Sequence, residues 1–184
     1  MSVAARKRYS SADLWKFPED GNRHEIIRGE WIMTPPPNVP HQTVVLNIQV
    51  LLANHVRPRR LGRVLGAPVA VILSEKDAVQ PDVLFVSRER AARVRKDAVR
   101  GAPDLVVEVL SPSTAAVDRG RKLALYDKAG VREYWIVDPA DRTVEIHQFL
   151  PTRRLRVFQK GQSFEPSVLP GLSVKVSEIF DSLR

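Results

Sequence analysis

The sequence predicts an α/β fold in which a mixed β-sheet is flanked by helices. Residues 104–110, DLVVEVL, are rich in β-branched residues and predict a strand that is covered on both faces. A helix is expected over 114–129, with Gly130 after its last turn, and a further strand over 131–138. A helix between two neighbouring strands is typical of a βαβ unit, in which the two strands are parallel.

The first elements predicted along the chain are a short helix and a hairpin. Ser10 or Ser11 can cap the amino terminus of the short helix. The apolar runs 24–27 and 30–34 are expected to pair as an antiparallel hairpin about a turn at Gly29. This hairpin is predicted to extend the main fold at its amino-terminal side.

A long helix and several shorter elements complete the prediction. Apolar residues recur at the spacing of one helix face over about 39–56, and Pro58 is expected to end this helix. Residues 88–100 are strongly basic and predict a connector or a short helix. Further strands are expected at 63–65, 69–73, 83–86, 143–150 and 155–159, and a terminal helix at 176–183.

The length of 184 residues favours a single domain. We predict a flexible basic tail over 1–10 and one domain over 11–184. The sequence has no cysteine and no apolar window close to 18 residues, so we expect a cytoplasmic protein that does not contact a membrane.

The charge balance favours an anionic partner. Lys and Arg number 29 against 21 Asp and Glu, which gives a formal net charge of +8. Basic clusters occur at 57–63 and 88–100, and such clusters attract nucleic-acid phosphates. Nucleic acid, and DNA in particular, is therefore the expected partner.

Several common catalytic motifs are missing from the sequence. No G-x-x-x-x-G-K-[ST] loop is present, and no G-x-G-x-x-G follows a predicted strand. His24-Glu25 lacks the second histidine of a zinc-protease helix, and Ser111 lacks the glycines of a nucleophile elbow. Nucleotide binding by a glycine-rich loop, zinc proteolysis and acyl transfer are therefore disfavoured.

The unusual residues are two carboxylates on predicted strands. Glu108 lies among apolar neighbours within its strand, and Asp82 immediately precedes the strand predicted at 83–86. A buried carboxylate needs a cation, a hydrogen-bond network or a metal. On adjacent strands the two acids can lie within about 5 Å of each other, and two carboxylates with water suit Mg²⁺. We predict that Asp82 and Glu108 bind Mg²⁺, for which Mn²⁺ can substitute.

Both carboxylates also have a structural explanation. Glu108 can be paired with an arginine or lysine, or be exposed at the rim of the sheet. Asp82 can belong to an ordinary Pro-Asp turn. Asp104 shares the strand face of Glu108, but about 13 Å separates them, which is too far to share one ion.

The order of these residues resembles a known nuclease core. Pro81-Asp82, then Glu108-Val109-Leu110, then a helix resembles the core of the PD-(D/E)xK nucleases. The stretch PDLVVEVLSPSTAAVDRGRKLALYDKAGVREYWIVDP, with HEIIRGEW and QPDVLFV upstream, more narrowly resembles the Uma-two family of restriction-endonuclease-like proteins. This resemblance implies a restriction-endonuclease-like core and a divalent-metal-dependent endonuclease that hydrolyses DNA phosphodiester bonds.

The sequence departs from the superfamily pattern at one position. The lysine expected two residues after Glu108 is Leu110. In the family, a lysine on the following helix is thought to replace it, which here implies Lys122. The alternative for Lys122 is a surface pair with Asp118, worth about 0.3–0.5 kcal/mol. Glu25 matches an upstream acidic position of the family and is a further catalytic candidate, with a charge at a strand edge as the alternative.

Three other polar residues are further candidates. Tyr126, four residues after Lys122, can steady that lysine or belong to the core. His41 and Gln80 can lie near a cleft, although surface hydrogen bonding is the favoured explanation for both.

Three hypotheses of function remain open. The first is a Mg²⁺-dependent endodeoxyribonuclease, expected to be a homodimer because a duplex has two strands and twofold pairing is the commonest assembly. The second is a catalytically inactive nucleic-acid-binding module on a nuclease scaffold. The third is a non-enzymatic interaction protein in which Glu108 is only ion-paired.

Overall fold

The protein is described by a computed structural model over residues 7–181. The first six residues of the predicted basic tail lie outside the described residues. The part of the tail that is described contacts the hairpin: the Tyr9 N–H donates to Gly29 O at 2.9 Å, and the Tyr9 ring packs on Phe17 and Trp31.

The elements follow one another in an order close to the predicted one. The strands are β1 (Arg23–Ile27), β2 (Glu30–Thr34), β3 (Gly62–Gly66), β4 (Val71–Ser74), β5 (Asp77–Val79), β6 (Val83–Ser87), β7 (Val99–Arg100), β8 (Leu105–Val109), β9 (Glu133–Asp138), β10 (Thr143–Gln148), β11 (Arg154–Gln159), β12 (Ser163–Phe164) and β13 (Val174–Lys175). The helices are α1 (Val39–Arg59), α2 (Ala115–Val117), α3 (Leu123–Ala129) and α4 (Val176–Ile179), with 3₁₀ helices at Ser11–Lys16 and Arg88–Arg93 and a π-helical turn at Asp118–Lys122.

Two mixed sheets organise the chain between residues 7 and 181. Sheet A has the strand order β2-β1-β5-β4-β7, and sheet B has the order β11-β10-β9-β8-β6-β3. Only β4 with β7 and β8 with β9 are parallel pairs among the described strands of these sheets. The predicted α/β class with mixed sheets and flanking helices is confirmed, as is the parallel pairing across the helix that follows β8.

The predicted amino-terminal hairpin is present as β1 and β2. Ile26 of β1 pairs with Ala78 of β5, so the hairpin forms one edge of sheet A. Strand β5 was not predicted, since three residues that begin with an aspartate carry too little apolar pattern.

Two helix predictions differ in their ends. Helix α1 runs through Pro58 to Arg59, because the proline removes a hydrogen bond only in the last turn, and the left-handed Arg60 (φ 53°) ends the helix. Helix α4 ends at Ile179 rather than 183, and residues 182–184 lie outside the described residues. No helix among residues 7–181 is long and apolar enough to cross a membrane.

Alternate residues of β8 face two different cores. Val107 and Val109 pack with Ile48 of α1 in the first core, on one face of sheet B. Val106 and Leu110 point to the opposite face, where sheet A and α3 cover sheet B in the second core. Since side chains alternate along a strand, Glu108 belongs to this second, otherwise apolar face. The fold therefore places a carboxylate between the two sheets.

We expect Gly62→Ala to destabilise the fold, because a Cβ at Gly62 would overlap the carbonyl oxygen of Val86 on the paired strand. Overpacking of this kind costs about 1–3 kcal/mol of unfolding free energy. Gly120→Ala is the matched control, since a Cβ there meets no atom within 4 Å. Urea denaturation measures both. Equal unfolding free energies for the two variants would contradict the close approach of β3 to β6.

Candidate active site

The register of β6 and β8 brings Asp82 next to Glu108. Val83 pairs with Val107 in an antiparallel ladder, so Asp82, one residue earlier, lies opposite Glu108. The Val109 N–H donates to Asp82 Oδ2 at 2.8 Å, which ties the carboxylate to β8. Both carboxylates are buried. The structure thus brings together the two residues that the sequence singles out.

Lys122 lies at the centre of a cluster of carboxylates. Its Nζ is 2.9 Å from Glu25 Oε2, 2.9 Å from Glu108 Oε1 and 3.6 Å from Asp118 Oδ1. Only 2% of Lys122 is exposed. The surface-pair alternative therefore does not hold: Asp118 is a partner of Lys122, but inside the protein and alongside two other acids.

A π-helical turn sets the direction of Lys122. The Leu123 N–H donates to Asp118 O, five residues back, instead of four as in an α-helix. The wider turn is flanked by Asp118 and Lys122, and both side chains are buried. π-Helical turns are frequent at functional sites, and the amino-acid pattern, which predicts a continuous helix, does not reveal this one.

Glu25 reaches the cluster from sheet A. Its Oε1 accepts a hydrogen bond of 2.7 Å from the Gln80 N–H, and its Oε2 contacts Lys122. Glu25 is buried, so the alternative of a charge at an exposed strand edge does not hold. Gln80 contributes its main-chain N–H to Glu25, and its half-buried side chain makes a hydrogen bond of the kind expected, from Nε2 to His24 O at 3.2 Å.

Arg23 and His41 surround Asp82, and neither contact was predicted. Arg23 Nη1 donates to Asp82 Oδ1 at 2.7 Å and to Gln80 O at 3.0 Å. His41 Nε2 lies 3.3 Å from Asp82 Oδ2. Contrary to the favoured explanation, His41 is buried. The helix prediction places His41 near the start of α1, but the sequence carries no signal that this turn meets the start of β6.

Tyr126 and Lys122 share one oxygen of Glu108. The Tyr126 hydroxyl donates to Glu108 Oε1 at 2.7 Å, on the same atom that contacts Lys122. Tyr126 is therefore both a buried core residue and a partner of the site. The second oxygen, Oε2, is the atom of Glu108 that can serve as a ligand.

Negative charge exceeds positive charge in the buried cluster. The carboxylates are Glu25, Asp82, Glu108 and Asp118, and the permanent cations are Arg23 and Lys122. When His41 is neutral and all four acids are ionised, two negative charges remain uncompensated. Such an excess inside a protein is unfavourable unless a proton or another cation is taken up.

The pKa values of Glu108 and Asp82 are shifted in opposite directions. Burial, together with the charges of Asp118, Asp82 and Glu25, raises the pKa of Glu108 to about 8 against the opposing effect of Lys122. Burial also acts to raise the pKa of Asp82, but the hydrogen bond from His41 and the charge of Arg23 outweigh it, and that pKa falls to about 2. Asp82 is thus the anion of the pair, and Glu108 is the acid whose ionisation needs a further cation.

The donor set of Asp82 and Glu108 fits a hard divalent cation. Two carboxylates from adjacent strands offer oxygen ligands, and a charge of +2 would balance the excess of the cluster. No group of three or more His, Cys, Asp or Glu side chains among residues 7–181 is arranged to hold a metal. An ion held by two carboxylates must complete its coordination shell with water, and Mg²⁺ in proteins usually keeps several water ligands.

The site has access to solvent through clefts. Asp82 and Arg23 line a cleft of about 410 Å³. Glu25 and Lys122 line a smaller one of about 40 Å³. Asp82 therefore lines the larger of these two clefts, which has room for part of a substrate.

The predicted basic clusters lie at the other end of β6. Arg63 and Arg88 flank the pairing of Gly62 with Ser87, about 16 Å along the strand from Asp82. Part of the second cluster is structural, since Arg90 Nη1 donates to Pro103 O at 3.0 Å. Arg63 and Arg88 are exposed and remain available to phosphates.

Comparison with known proteins supports a common family and fold. A model of the Uma2 family, described as "Putative restriction endonuclease", matches residues 11–177. An uncharacterized protein of Synechocystis sp. is 25% identical over 156 residues, which cover 84% of this chain and 88% of that protein. A crystal structure from Anabaena variabilis, described as a "putative nuclease belonging to DUF820", has a TM-score of 0.79 at 22% identity and covers 93% of this chain and 97% of that chain.

We expect Lys122→Met to destabilise the protein strongly, because it leaves three buried carboxylates without their shared cation. Breaking a buried ion pair from one side costs about 3–5 kcal/mol of unfolding free energy. Lys128→Met, at an exposed position of the same helix, is the matched control and should change it by less than about 0.5 kcal/mol. Urea denaturation measures both variants. Similar unfolding free energies would contradict the burial of Lys122 among acids.

Proposed function

The chain belongs to the Uma2 family, and from the geometry of its site we propose that it is a divalent-metal-dependent nuclease that hydrolyses DNA phosphodiester bonds. Membership of a family described as restriction endonucleases supports a nuclease function. The observation that carries the proposal is the juxtaposition of Asp82 and Glu108 on adjacent strands, with excess negative charge and with Lys122 beside Glu108.

Mg²⁺, with Mn²⁺ as a substitute, is the proposed cofactor. We assign Asp82 and Glu108 as its protein ligands. When bound, such an ion acidifies water and neutralises charge on the phosphodiester. Asp82 is held for this role by Arg23 and by the Val109 N–H, which fix the direction of its two oxygens.

Lys122 is the proposed catalytic cation. Its ammonium lies 2.9 Å from Glu108 Oε1, so it can orient the attacking water or stabilise the negative charge that develops on the phosphate. Glu25 Oε2 lies 2.9 Å from the same ammonium and positions it. Tyr126 donates to Glu108 and limits the movement of that carboxylate. Lys122 on the helix thus supplies the ammonium that Leu110, at the motif's lysine position on the strand, cannot supply.

A second candidate function rests on the same ion pairs. Glu108 is paired with Lys122 and Asp82 with Arg23, so the carboxylates have protein partners even without a metal. This observation favours a catalytically inactive nucleic-acid-binding module or, if nucleic acid does not bind, a non-enzymatic interaction protein. For the nuclease we also propose a homodimer, since a duplex presents two strands to two copies of one site.

Substitution of either proposed ligand is expected to abolish cleavage. Asp82→Asn and Glu108→Gln each remove a negative charge with little change of shape, so the rate of Mg²⁺-dependent DNA cleavage should fall at least about 10²-fold. Glu165→Gln, at an exposed position, is the matched control and should keep the wild-type rate. Circular dichroism and thermal unfolding verify that all three variants remain folded.

The three hypotheses of function predict different results in this assay. Cleavage that persists in both ligand variants would overturn the assignment of the site. Salt-sensitive binding of DNA without cleavage, in either Mg²⁺ or Mn²⁺, would favour the inactive module. A protein that binds neither DNA nor metal would favour the third hypothesis, a non-enzymatic interaction protein.

A further inference from the structure

The cleft of about 410 Å³ beside Asp82 carries side-chain amides that the proposed hydrolysis does not use. Its volume lies within the usual range of small-molecule sites, about 300–1,000 Å³. The amides that line it belong to Asn22, Gln42, Gln49 and Gln80. Its apolar wall includes residues 35–37, three consecutive prolines, together with Leu46 and Pro68. The cleft therefore combines apolar side chains with the donors and acceptors of side-chain amides.

Gln49 is an amide of this cleft that lies close to Gly66 and to the main chain of Asp82. It projects from α1 towards Gly66, where an added Cβ would overlap Gln49 Nε2 and lie 3.2 Å from Asp82 O. The absence of a side chain at Gly66 is what gives the amide its room. Among residues 7–181, no protein partner is found for the side-chain amide of either Gln42 or Gln49. Both are free to bind a ligand.

An amide of this kind is complementary to a nucleobase edge. The carboxamide presents one acceptor and two donors in a plane, and it pairs in a bidentate manner with N6 and N7 of adenine. Apolar walls can hold the two faces of a base. A nucleotide whose phosphate reaches Asp82 would carry its base towards this cleft.

The shape of the cleft excludes a base that is stacked inside a duplex. Reading a duplex requires an element that protrudes into a groove. Gln49 instead is half-buried in a concave surface, so its amide can meet only a base that has left the stack. Extrusion costs least for a base that is mismatched or already unpaired.

We propose that this cleft binds an unpaired nucleobase next to the scissile phosphodiester, and that its amides favour adenine. The inference rests on the proposed function and names its substrate class as nucleic acid with single-stranded, mismatched or bulged positions. Gln49 is the specificity-determining residue, and Gly66 gives it space.

Equilibrium binding without hydrolysis tests this proposal. Labelled DNA duplexes that contain one bulged A, C, G or T, and one fully paired duplex, are titrated with protein in EDTA by fluorescence anisotropy. The bulged-adenine duplex should bind about tenfold more tightly than the paired duplex. Gln49→Ala should lose this preference and keep the affinity for the paired duplex. Gln159→Ala, an exposed glutamine on β11, is the matched control and should keep both.

Gly66→Ala gives an independent variant, because its Cβ displaces the flexible end of Gln49 and leaves the glutamine in the chain. It should lose the preference as Gln49→Ala does. Equal binding of all five duplexes by the wild type would overturn the proposal, as would an equal loss by Gln49→Ala on paired and bulged DNA. The binding assay does not depend on cleavage. A protein that cleaves no DNA would overturn the proposed function, but the anisotropy titrations would still decide whether the cleft binds an unpaired base.

Discussion

The burial of one ammonium group among three carboxylates is the interaction on which the site depends. Lys122 contacts Glu25 from sheet A, Glu108 from sheet B and Asp118 from the helical turn that precedes it. Three buried acids repel one another, and an unpaired buried lysine would be equally costly, so neither arrangement is stable alone. The ion pairs therefore join both sheets and the helix at one point. The proposed chemistry uses the same point, which makes the stability of the protein and its activity difficult to separate.

The proposed division of labour between Asp82 and Glu108 follows from their different surroundings. Asp82 contacts the guanidinium of Arg23, the imidazole of His41 and the main-chain N–H of Val109, and its pKa is about 2. Glu108 faces further acids, and its pKa is about 8. Asp82 is thus already ionised when a cation arrives. Glu108 is ionised more readily once the cation is bound beside it. A site with this charge pattern takes up a divalent ion more readily than a site whose acids are fully neutralised.

Local patterns predicted the elements that carry the site, but not the contacts between distant ones. The hairpin, α1 and the strand–helix–strand unit follow from turn residues and apolar periodicity, and the adjacency of Asp82 and Glu108 follows from neighbouring strands. The contact of Glu25 with Lys122 depends on how sheet A packs against the helix after β8, which no local pattern encodes. The contacts of Arg23 and His41 with Asp82 were not predicted for the same reason, since each side chain reaches Asp82 only in the folded chain; His41 was a candidate only as a residue near a cleft.

The central claim is that Asp82 and Glu108 hold one divalent cation, and calorimetric titration of Mn²⁺ tests it before any substrate is known. The account predicts one site per chain in the wild type and in Glu165→Gln, and at least about a tenfold loss of affinity in Asp82→Asn and in Glu108→Gln. Equal Mn²⁺ affinity in all four proteins, or no binding to the folded wild type, would contradict it.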